Sequence, residues 1–456
     1  MIISAKQIIP ACLLALTSCQ MQTQQIEILP TPQTYYASPS ENNNNASTQT
    51  YYVSPMGNDT NSGTLVNPWR TIKNATANAI ANSLIIVREG IYSDGNEFAN
   101  HGVTIKNYPG EQVVIRLITG DGYRAFDCYT DRARTDIHII GSDVTPKILS
   151  NGVVSQKGIV IQGEVGTKWA GFVPHGGCDR WEIAGIDFVD VGHGIFQLKE
   201  TYSKTGNLSA DNWYVHDNRV YGYYRETGMQ FNGNENIVEN NEIVKATPRL
   251  ETPYGCYLIN LLGHGNIVRN NILTGTGGTE CNGILFEWSQ SDANLIEDNI
   301  ITGVPTGIRF QGGDNNIIKN NTIIGVNPAA SGYNGMDRAG IEIFSYYDAE
   351  NNWPCDDYLD SPSFDGATIP PNDSSHIDFP YYYPHGECES FGNQIIGNTI
   401  SGFTNGVMIV NGPPTIGTTV IIDNIITGWA RAKVCNYSQT GCSPLPSNVY
   451  WDDGTN

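Results

Sequence analysis

A segment of the form Asn-x-Ile-Val-x-Asn-Asn-x-Ile recurs along this chain, and it constrains the fold more than any other feature. The recurring position is occupied by Asn218, Asn241, Asn271, Asn299, Asn321, Asn398 and Asn424, at intervals of 23, 30, 28, 22, 77 and 26 residues. A period in the twenties, with alternating apolar residues and no helix-length apolar runs, predicts one β-coil per repeat. Asn at one turn of every coil predicts a ladder, because each side-chain amide can donate to the carbonyl of the next coil.

A second strand follows each of these turns and begins with Gly, as in Gly228-Met229-Gln230-Phe231 and Gly283-Ile284-Leu285-Phe286. With period two, the second and fourth residues after Gly are predicted to point out of the core. One outward column is then predicted to contain Gln230, Tyr257, Leu285, Arg309 and Glu342, and its neighbour Asn232, Ile259, Glu287, Gln311 and Phe344. Members of a column lie about 4.8 Å apart.

The two columns bring acidic and basic residues together. Arg309 is predicted beside Glu342 and diagonal to Glu287, with Gln311 stacked on Glu287. The Cα atoms of Glu287 and Glu342 would lie roughly 12 Å apart, so leaning carboxylates could approach the separation of an inverting glycosidase. We therefore predict Glu287 and Glu342 as general acid and base, with Arg309 orienting the substrate or keeping one carboxylate ionised.

Residues around this constellation are predicted to bind a sugar chain. They are Gln230, Tyr257, Gln311, Trp288, Arg225, Glu226 and Arg338. Trp288 would stack on a pyranose face. The alternative is that Arg309 and Glu342 form an ordinary solvated surface pair worth about 0 to 1 kcal/mol.

Charge and composition exclude several classes of partner and fold. The chain has 25 basic and 46 acidic residues, a net charge of −21, which repels nucleic acid and anionic membrane surfaces. Only 16% of residues are charged, which excludes a coiled coil or a charge-rich helical bundle, whereas 39% are hydrophobic, enough for a sizeable core.

The N-terminal residues predict export and anchoring. An apolar run from Ile8 to Leu16 is too short to span a bilayer and has the length of a signal-peptide core. Leu16-Thr17-Ser18-Cys19 follows and resembles the bacterial lipobox, in which the Cys is acylated; Gln20 then resembles lipoproteins of the outer membrane. A plain secretory signal is the alternative. We predict a signal peptide over 1–18, a disordered tether over 19–48, and a folded domain over 49–456 with an insertion at about 344–392.

Cysteine usage fits an oxidising compartment, since eight Cys follow Cys19 and could form four disulfides. Two pairs are favoured, Cys435 with Cys442 and Cys355 with Cys388. Cys256 falls at a predicted core position, where a buried free thiol is the alternative.

The start of the folded part, YYVSPMGNDTNSGTLVNPWRTI over 51–72, resembles the opening of the pectate-lyase-like superfamily. The resemblance implies an all-β fold, a single-stranded right-handed parallel β-helix, with an N-terminal capping helix over Thr71 to Asn82. It also implies a carbohydrate substrate, because the superfamily contains polysaccharide lyases and glycoside hydrolases.

Three functions stay open at this point. The first is hydrolysis of an extracellular polysaccharide with two glutamates; the second is β-elimination with Arg309 as base and Ca²⁺ neutralising a uronate. The third is a non-catalytic glycan-binding or surface-structure protein. A metal site is an open question: the oxygen-rich stretch with Asp356, Asp357, His385, Glu387 and Glu389 favours calcium over zinc but lacks tight ligand spacing.

Overall fold

The structure is a computed structural model in which the described residues are 49–93, 95–117, 124–129, 133–164, 170–197, 210–223, 225, 227–246, 256–277, 281–287, 291–311, 313–326, 338–344, 392–410, 419–438, 441–445 and 449–452. Thr48–Asn456 forms one compact unit. The predicted signal peptide, lipidated Cys19, tether and most of the predicted insertion lie outside the described residues.

Within the described ranges the strands form three long sheets, here called A, B and C. Sheet A contains β1 (Thr50–Val53), β2 (Leu84–Val87), β5 (Thr104–Asn107), β8 (His138–Ile140), β13 (Glu182–Ala184), β16 (Tyr214–His216), β19 (Ile237–Glu239), β22 (Ile267–Arg269), β25 (Leu295–Glu297), β28 (Ile317–Lys319), β31 (Gln394–Ile396), β34 (Thr419–Ile422) and β38 (Val449–Asp452). All neighbouring pairs in this sheet are parallel.

Sheet B contains β3 (Gly90–Ser93), β6 (Val113–Arg116), β11 (Ile159–Gln162), β14 (Ile186–Val191), β17 (Arg219–Tyr223), β20 (Glu242–Val244), β23 (Ile272–Thr274), β26 (Ile300–Val304), β29 (Thr322–Gly325), β32 (Thr399–Ser401) and β35 (Ile425–Thr427). An antiparallel hairpin, β9 (Asp143–Ile148) and β10 (Val154–Lys157), interrupts the coil before β11.

Sheet C contains β4 (Asn96–Glu97), β7 (Phe126–Cys128), β12 (Ala170–Pro174), β15 (His193–Phe196), β18 (Thr227–Phe231), β21 (Cys256–Leu261), β24 (Cys281–Glu287), β27 (Ile308–Gln311), β30 (Ala339–Phe344), β33 (Asn405–Val410), β36 (Ala432–Ser438) and β37 (Gly441–Ser443). Its last pair is antiparallel and the others are parallel. Each regular coil therefore contributes one strand to A, one to B and one to C, which is the architecture of a right-handed parallel β-helix and confirms the predicted fold class.

Alternating side chains from the three sheets form one core. Val238, Val268 and Ile296 are inward positions of sheet A, and each is fully buried. The matching positions of sheets B and C are also fully buried, as Leu273 and Ile284 show. Stacking β-branched and aliphatic residues at one level of successive coils keeps the core continuous along the axis.

The predicted Asn ladder is confirmed. Asn271 donates from Nδ2 to Oδ1 of Asn299 at 2.9 Å, and Asn299 donates to Asn321 at 3.0 Å. Each Oδ1 also accepts the backbone N–H of the preceding ladder residue, as Asn299 does from Asn271 at 2.9 Å. A second ladder, which the sequence analysis did not predict, runs through Asn236, Asn266, Asn294, Asn316 and Asn393.

The N-terminal helix is shorter than predicted. It spans Ile72–Asn78, with Thr71 as N-cap accepting the backbone N–H of Asn74 at 3.1 Å, rather than extending to Asn82. It ends because Ala79 takes an extended conformation (ψ 132°) and Asn82 a left-handed one (φ 59°).

Three disulfides lie in the described part of the chain: Cys128–Cys178, Cys256–Cys281 and Cys435–Cys442. The prediction for Cys435 and Cys442 is confirmed, whereas the free-thiol alternative for Cys256 is wrong. Cys355 and Cys388 lie outside the described residues. Disulfides are typical of an oxidising compartment. Among the described residues, no helix combines the length and the apolarity that a membrane span would need.

Candidate active site on sheet C

The outward side of sheet C is defined by the register of its strands. Its first outward column is Glu97, Asp127, Val173, Phe196, Gln230, Asn260, Leu285, Arg309, Glu342 and Met408. The predicted neighbours Leu285, Arg309 and Glu342 are therefore confirmed as adjacent, and this column is called the C column below.

Two predicted members of the outward columns are in the wrong place. Tyr257 lies opposite Thr227 rather than Gln230, and Asn260 occupies the position beside Gln230. Ile259 is not outward, since it is fully buried beside Met229. The error is a register shift of three residues: Leu258, not Gly255, stands level with Gly228, so the Gly that marks this strand in other coils is missing.

Arg309 and Glu342 form a buried ion pair. Arg309 Nε lies 3.5 Å from Glu342 Oε1, and the two side chains are 12% and 3% exposed. Burial raises the pKa of the Glu342 carboxyl, and the positive charge of Arg309 partly offsets that rise. The interpretation as a solvated surface pair is therefore wrong, because both partners are withdrawn from solvent.

Glu287 keeps its predicted backbone position. It ends β24 and pairs in register with Gln311, which pairs with Phe344. The side chains of Glu287 and Gln311 are outside what the structure describes, as are Trp288 and Glu226. The roles predicted for these four residues therefore stay predictions.

The two remaining arginines lie beside strands of sheet C. Arg225 stands at the corner between β17 and β18, where its backbone N–H donates to the carbonyl of Gly192 at 3.1 Å. Arg338 immediately precedes β30, and its side chain is almost fully buried. The binding roles predicted for Arg225 and Arg338 stay predictions.

Residues that the sequence analysis did not assign also lie on this face. Phe196 and Asn260 are in the C column on either side of Gln230, and Asn260 Nδ2 donates to Gln230 Oε1 at 3.5 Å. Asn260 was detectable, because it follows Gln230 by the same 30 residues that separate Asn241 from Asn271 in the ladder.

His193 is buried at the start of β15. Its Nδ1 lies 2.8 Å from the carbonyl of Thr227, which can only accept, so Nδ1 carries the proton. Desolvation by burial lowers the pKa of His193 to about 3, and the ring stacks on Phe196 with centroids 4.4 Å apart. His193 is therefore neutral near physiological pH, and its ring packs against the ring of Phe196.

Among the described residues no group of three His, Cys, Asp or Glu has the arrangement of a metal site. The acidic stretch with Asp356, Asp357 and His385 lies outside them. Lys245, which follows β20, is buried and donates to the carbonyl of Tyr223. Its ammonium lies 4.0 Å from the centre of the Tyr223 ring, so Lys245 has an internal structural role.

Comparisons with known proteins support the fold. No protein-family model matches the chain, and no curated protein matches it. A tailspike protein of E. coli bacteriophage HK620 in complex with hexasaccharide is 13% identical, with a TM-score of 0.52, over 84% of this chain and 60% of its own. The PL6 family alginate lyase AlyGC is 13% identical, with a TM-score of 0.47, over 88% and 47%.

The A-module of the mannuronan C-5 epimerase AlgE4 from Azotobacter vinelandii is 14% identical, with a TM-score of 0.43, over 78% of this chain and 89% of its own. Identities this low show the fold alone. They agree with the sheet topology, and the chain is thus a right-handed parallel β-helix protein.

Proposed function

We propose that this protein is a carbohydrate-active enzyme that hydrolyses glycosidic bonds of an extracellular polysaccharide. The observation that carries the proposal is the state of Glu342. It is a carboxyl group on the outward side of a sheet, 3% exposed, with a raised pKa and an arginine beside it. A carboxyl group whose pKa is raised by burial is what a glycosidase uses as general acid.

In the proposed reaction Glu342 gives its proton to the glycosidic oxygen while the bond from that oxygen to the anomeric carbon breaks. Glu287 takes a proton from a water molecule, whose oxygen forms the new bond to the anomeric carbon. The net change is addition of one water across the bond, with inversion at the anomeric carbon. Strand register supports this pairing, because Glu287 lies two coils and two residues from Glu342.

Arg309 has a positioning role in this proposal. Its guanidinium would limit the rise of the Glu342 pKa and hold the carboxyl in one orientation. The alternative in which Arg309 is the base of a lyase is weaker. A guanidinium stays protonated in proteins, so Arg309 is poorly suited to take a proton from the substrate.

We further propose that the protein is a bacterial lipoprotein, acylated on Cys19 and displayed outside the cytoplasm on a tether. The lipobox-like tetrapeptide ending in Cys19 and the disulfides of the folded unit support this placement. Metabolic labelling with a fatty acid tests it, since the label should be lost in Cys19→Ala.

The function is tested by incubating the protein with neutral and uronate polysaccharides while following new reducing ends and ultraviolet absorbance together. We expect reducing ends without absorbance, because hydrolysis forms no conjugated double bond. Absorbance that rises with cleavage would show β-elimination and overturn the assignment of Glu342. Binding without any new reducing ends would instead identify a non-catalytic glycan-binding protein.

A further inference from the structure

Three side-chain amides lie together on the outward side of sheet C, three to four coils before Glu342. Gln230 and Asn260 are neighbours in the C column, and Asn260 Nδ2 donates to Gln230 Oε1 at 3.5 Å. Asn232 follows two residues after Gln230, so it belongs to the same face. This group, Gln230, Asn232 and Asn260, is called the amide cluster below.

The amide cluster would lower the stability of the folded protein if it had only a structural role. Asn260 and Asn232 are 4% and 8% exposed, and Asn232 Oδ1 is buried with no hydrogen-bond partner among the described residues. A buried polar atom without a partner costs about 1 to 3 kcal/mol. The next residue of the C column, Leu285, shows that this face accepts an apolar side chain at the same level of the coil.

An aromatic side chain adjoins the amides. Phe196 pairs in register with Gln230, is partly exposed, and is backed by the His193 ring at 4.4 Å. Because His193 is neutral, neither residue brings a charge to this part of the face. Aromatic rings that present one face, beside amides with both donors and acceptors, suit a sugar ring and its hydroxyl groups.

We infer that Phe196 and the amide cluster form a binding subsite for an uncharged, hydroxyl-rich sugar unit of the polysaccharide. The inference rests on the proposed function and deepens it, because it assigns the substrate class at one position. Asn260 lies three coils before Glu342, about 14 Å along the axis. A chain lying along sheet C would thus be held at the amide cluster while a bond further along reaches Glu342.

The competing explanation is an anionic sugar held by Arg225, the cation at the corner before β18. In that case Arg225 would contribute the attraction, and the uncharged amides would contribute little. The two explanations differ in substrate, since a protein of net charge −21 binds a polyanion only through local cations.

The test measures binding of the whole chain to galactomannan, xyloglucan, dextran, alginate and polygalacturonate by affinity electrophoresis, and compares Gln230→Leu, Asn260→Leu and Arg225→Gln. The matched control is Gln394→Leu, because Gln394 is an outward and nearly buried amide on sheet A. We expect at least one neutral polysaccharide to bind, with each amide variant weakening its Kd about tenfold. Gln394→Leu should leave that Kd unchanged, and Arg225→Gln should weaken it less than either amide variant does.

Urea unfolding of the same variants separates binding from structure. A subsite predicts that Asn260→Leu lowers affinity without lowering stability, because an apolar residue fits this face. Binding confined to alginate or polygalacturonate, or a Kd unaffected by both amide variants, would overturn the subsite even if cleavage occurs. Neutral binding that needs the amides but is never followed by cleavage would instead sustain the subsite and refute the proposed hydrolysis.

Discussion

Sheets A and C both place opposite charges on adjacent coils, but in different surroundings. On sheet A, Lys319 Nζ lies 2.9 Å from Glu297, and Arg269 bonds to Glu239 in the same outward column, with the cations 27% and 38% exposed. On sheet C, Arg309 is 12% exposed and its contact with Glu342 is longer, at 3.5 Å. The closer pairs are thus the more solvated ones.

The comparison shows that position on a strand does not by itself indicate the role of a charged pair, and that the exposure of the two side chains must be considered as well. Exposed pairs contribute about 0 to 1 kcal/mol and need no further explanation. A buried pair pays a desolvation cost that its own attraction often fails to recover, so apolar residues would serve stability as well or better. Retention of Arg309 and Glu342 on a buried face therefore favours a chemical role.

The largest stability effect should come from breaking the sheet C pair. Arg309→Met leaves the Glu342 carboxyl buried without its cation, and we expect a loss of about 3 kcal/mol at pH 8. The matched change Lys319→Met on sheet A, in a pair whose side chains are 27% and 15% exposed, should cost less than about 1 kcal/mol. Urea unfolding of both variants measures the comparison.

The loss in Arg309→Met should shrink at pH 5. A carboxyl whose folded pKa is raised binds its proton more tightly in the folded state, so its unfavourable contribution appears as the pH rises above the unfolded pKa of about 4.3. Equal losses in Lys319→Met and Arg309→Met, independent of pH, would show that the two sheets hold equivalent surface pairs.

A carboxyl group on sheet A, Glu182, has a pKa shift opposite in direction to that of Glu342. Glu182 accepts from His138 Nδ1 at 2.8 Å and from His216 Nε2 at 3.2 Å, and these hydrogen bonds lower its pKa to about 2. Its stabilisation is therefore present above the unfolded pKa of about 4.3 and is lost as the pH falls towards 2.

Replacing the Glu182 carboxyl tests the direction of its pKa shift. We expect Glu182→Gln to cost about 2 kcal/mol at pH 6 and much less at pH 2, where about half of the wild-type carboxyl groups are already protonated in the folded state. Urea unfolding across this range gives the measurement, with Glu297→Gln as the control. A cost that does not change between pH 6 and pH 2 would contradict the lowered pKa.

Much of the fold could be predicted because Asn occupies the same turn in successive coils. Asn at each ladder turn accepts a backbone N–H and donates to the next coil, so its spacing in sequence equals the coil length. The residues before ladder positions, such as Asn240, Asn270 and Asp298, take positive φ, a conformation that Asn and Asp adopt more readily than most residues.

The register of the site residues could be predicted only in coils where a Gly begins the strand of sheet C. Gly marks the start of the sheet C strand at Gly283, Gly307 and Gly340, and there the register of Leu285, Arg309 and Glu342 is correct. In the coil of Tyr257 the residue level with these glycines is Leu258, so the prediction from Gly255 placed the strand three residues out of register. The 30-residue spacing of the Asn ladder in this coil would have given the correct register. Burial of the C column was not predicted either, because alternation assigns a side chain to the outward side of a strand and does not say whether solvent reaches it.

The most direct test of the account compares turnover by Glu342→Gln with turnover by Glu297→Gln, on the polysaccharide that the wild-type protein hydrolyses. Both changes remove one carboxylate from an outward column. Burial raises the pKa of Glu342 and its partner Arg309 is 12% exposed, whereas the partner of Glu297, Lys319, is 27% exposed. The account predicts that Glu342→Gln slows release of reducing ends at least about 100-fold while Glu297→Gln leaves the rate unchanged. Equal rates in the two variants, with both still folded, would contradict it.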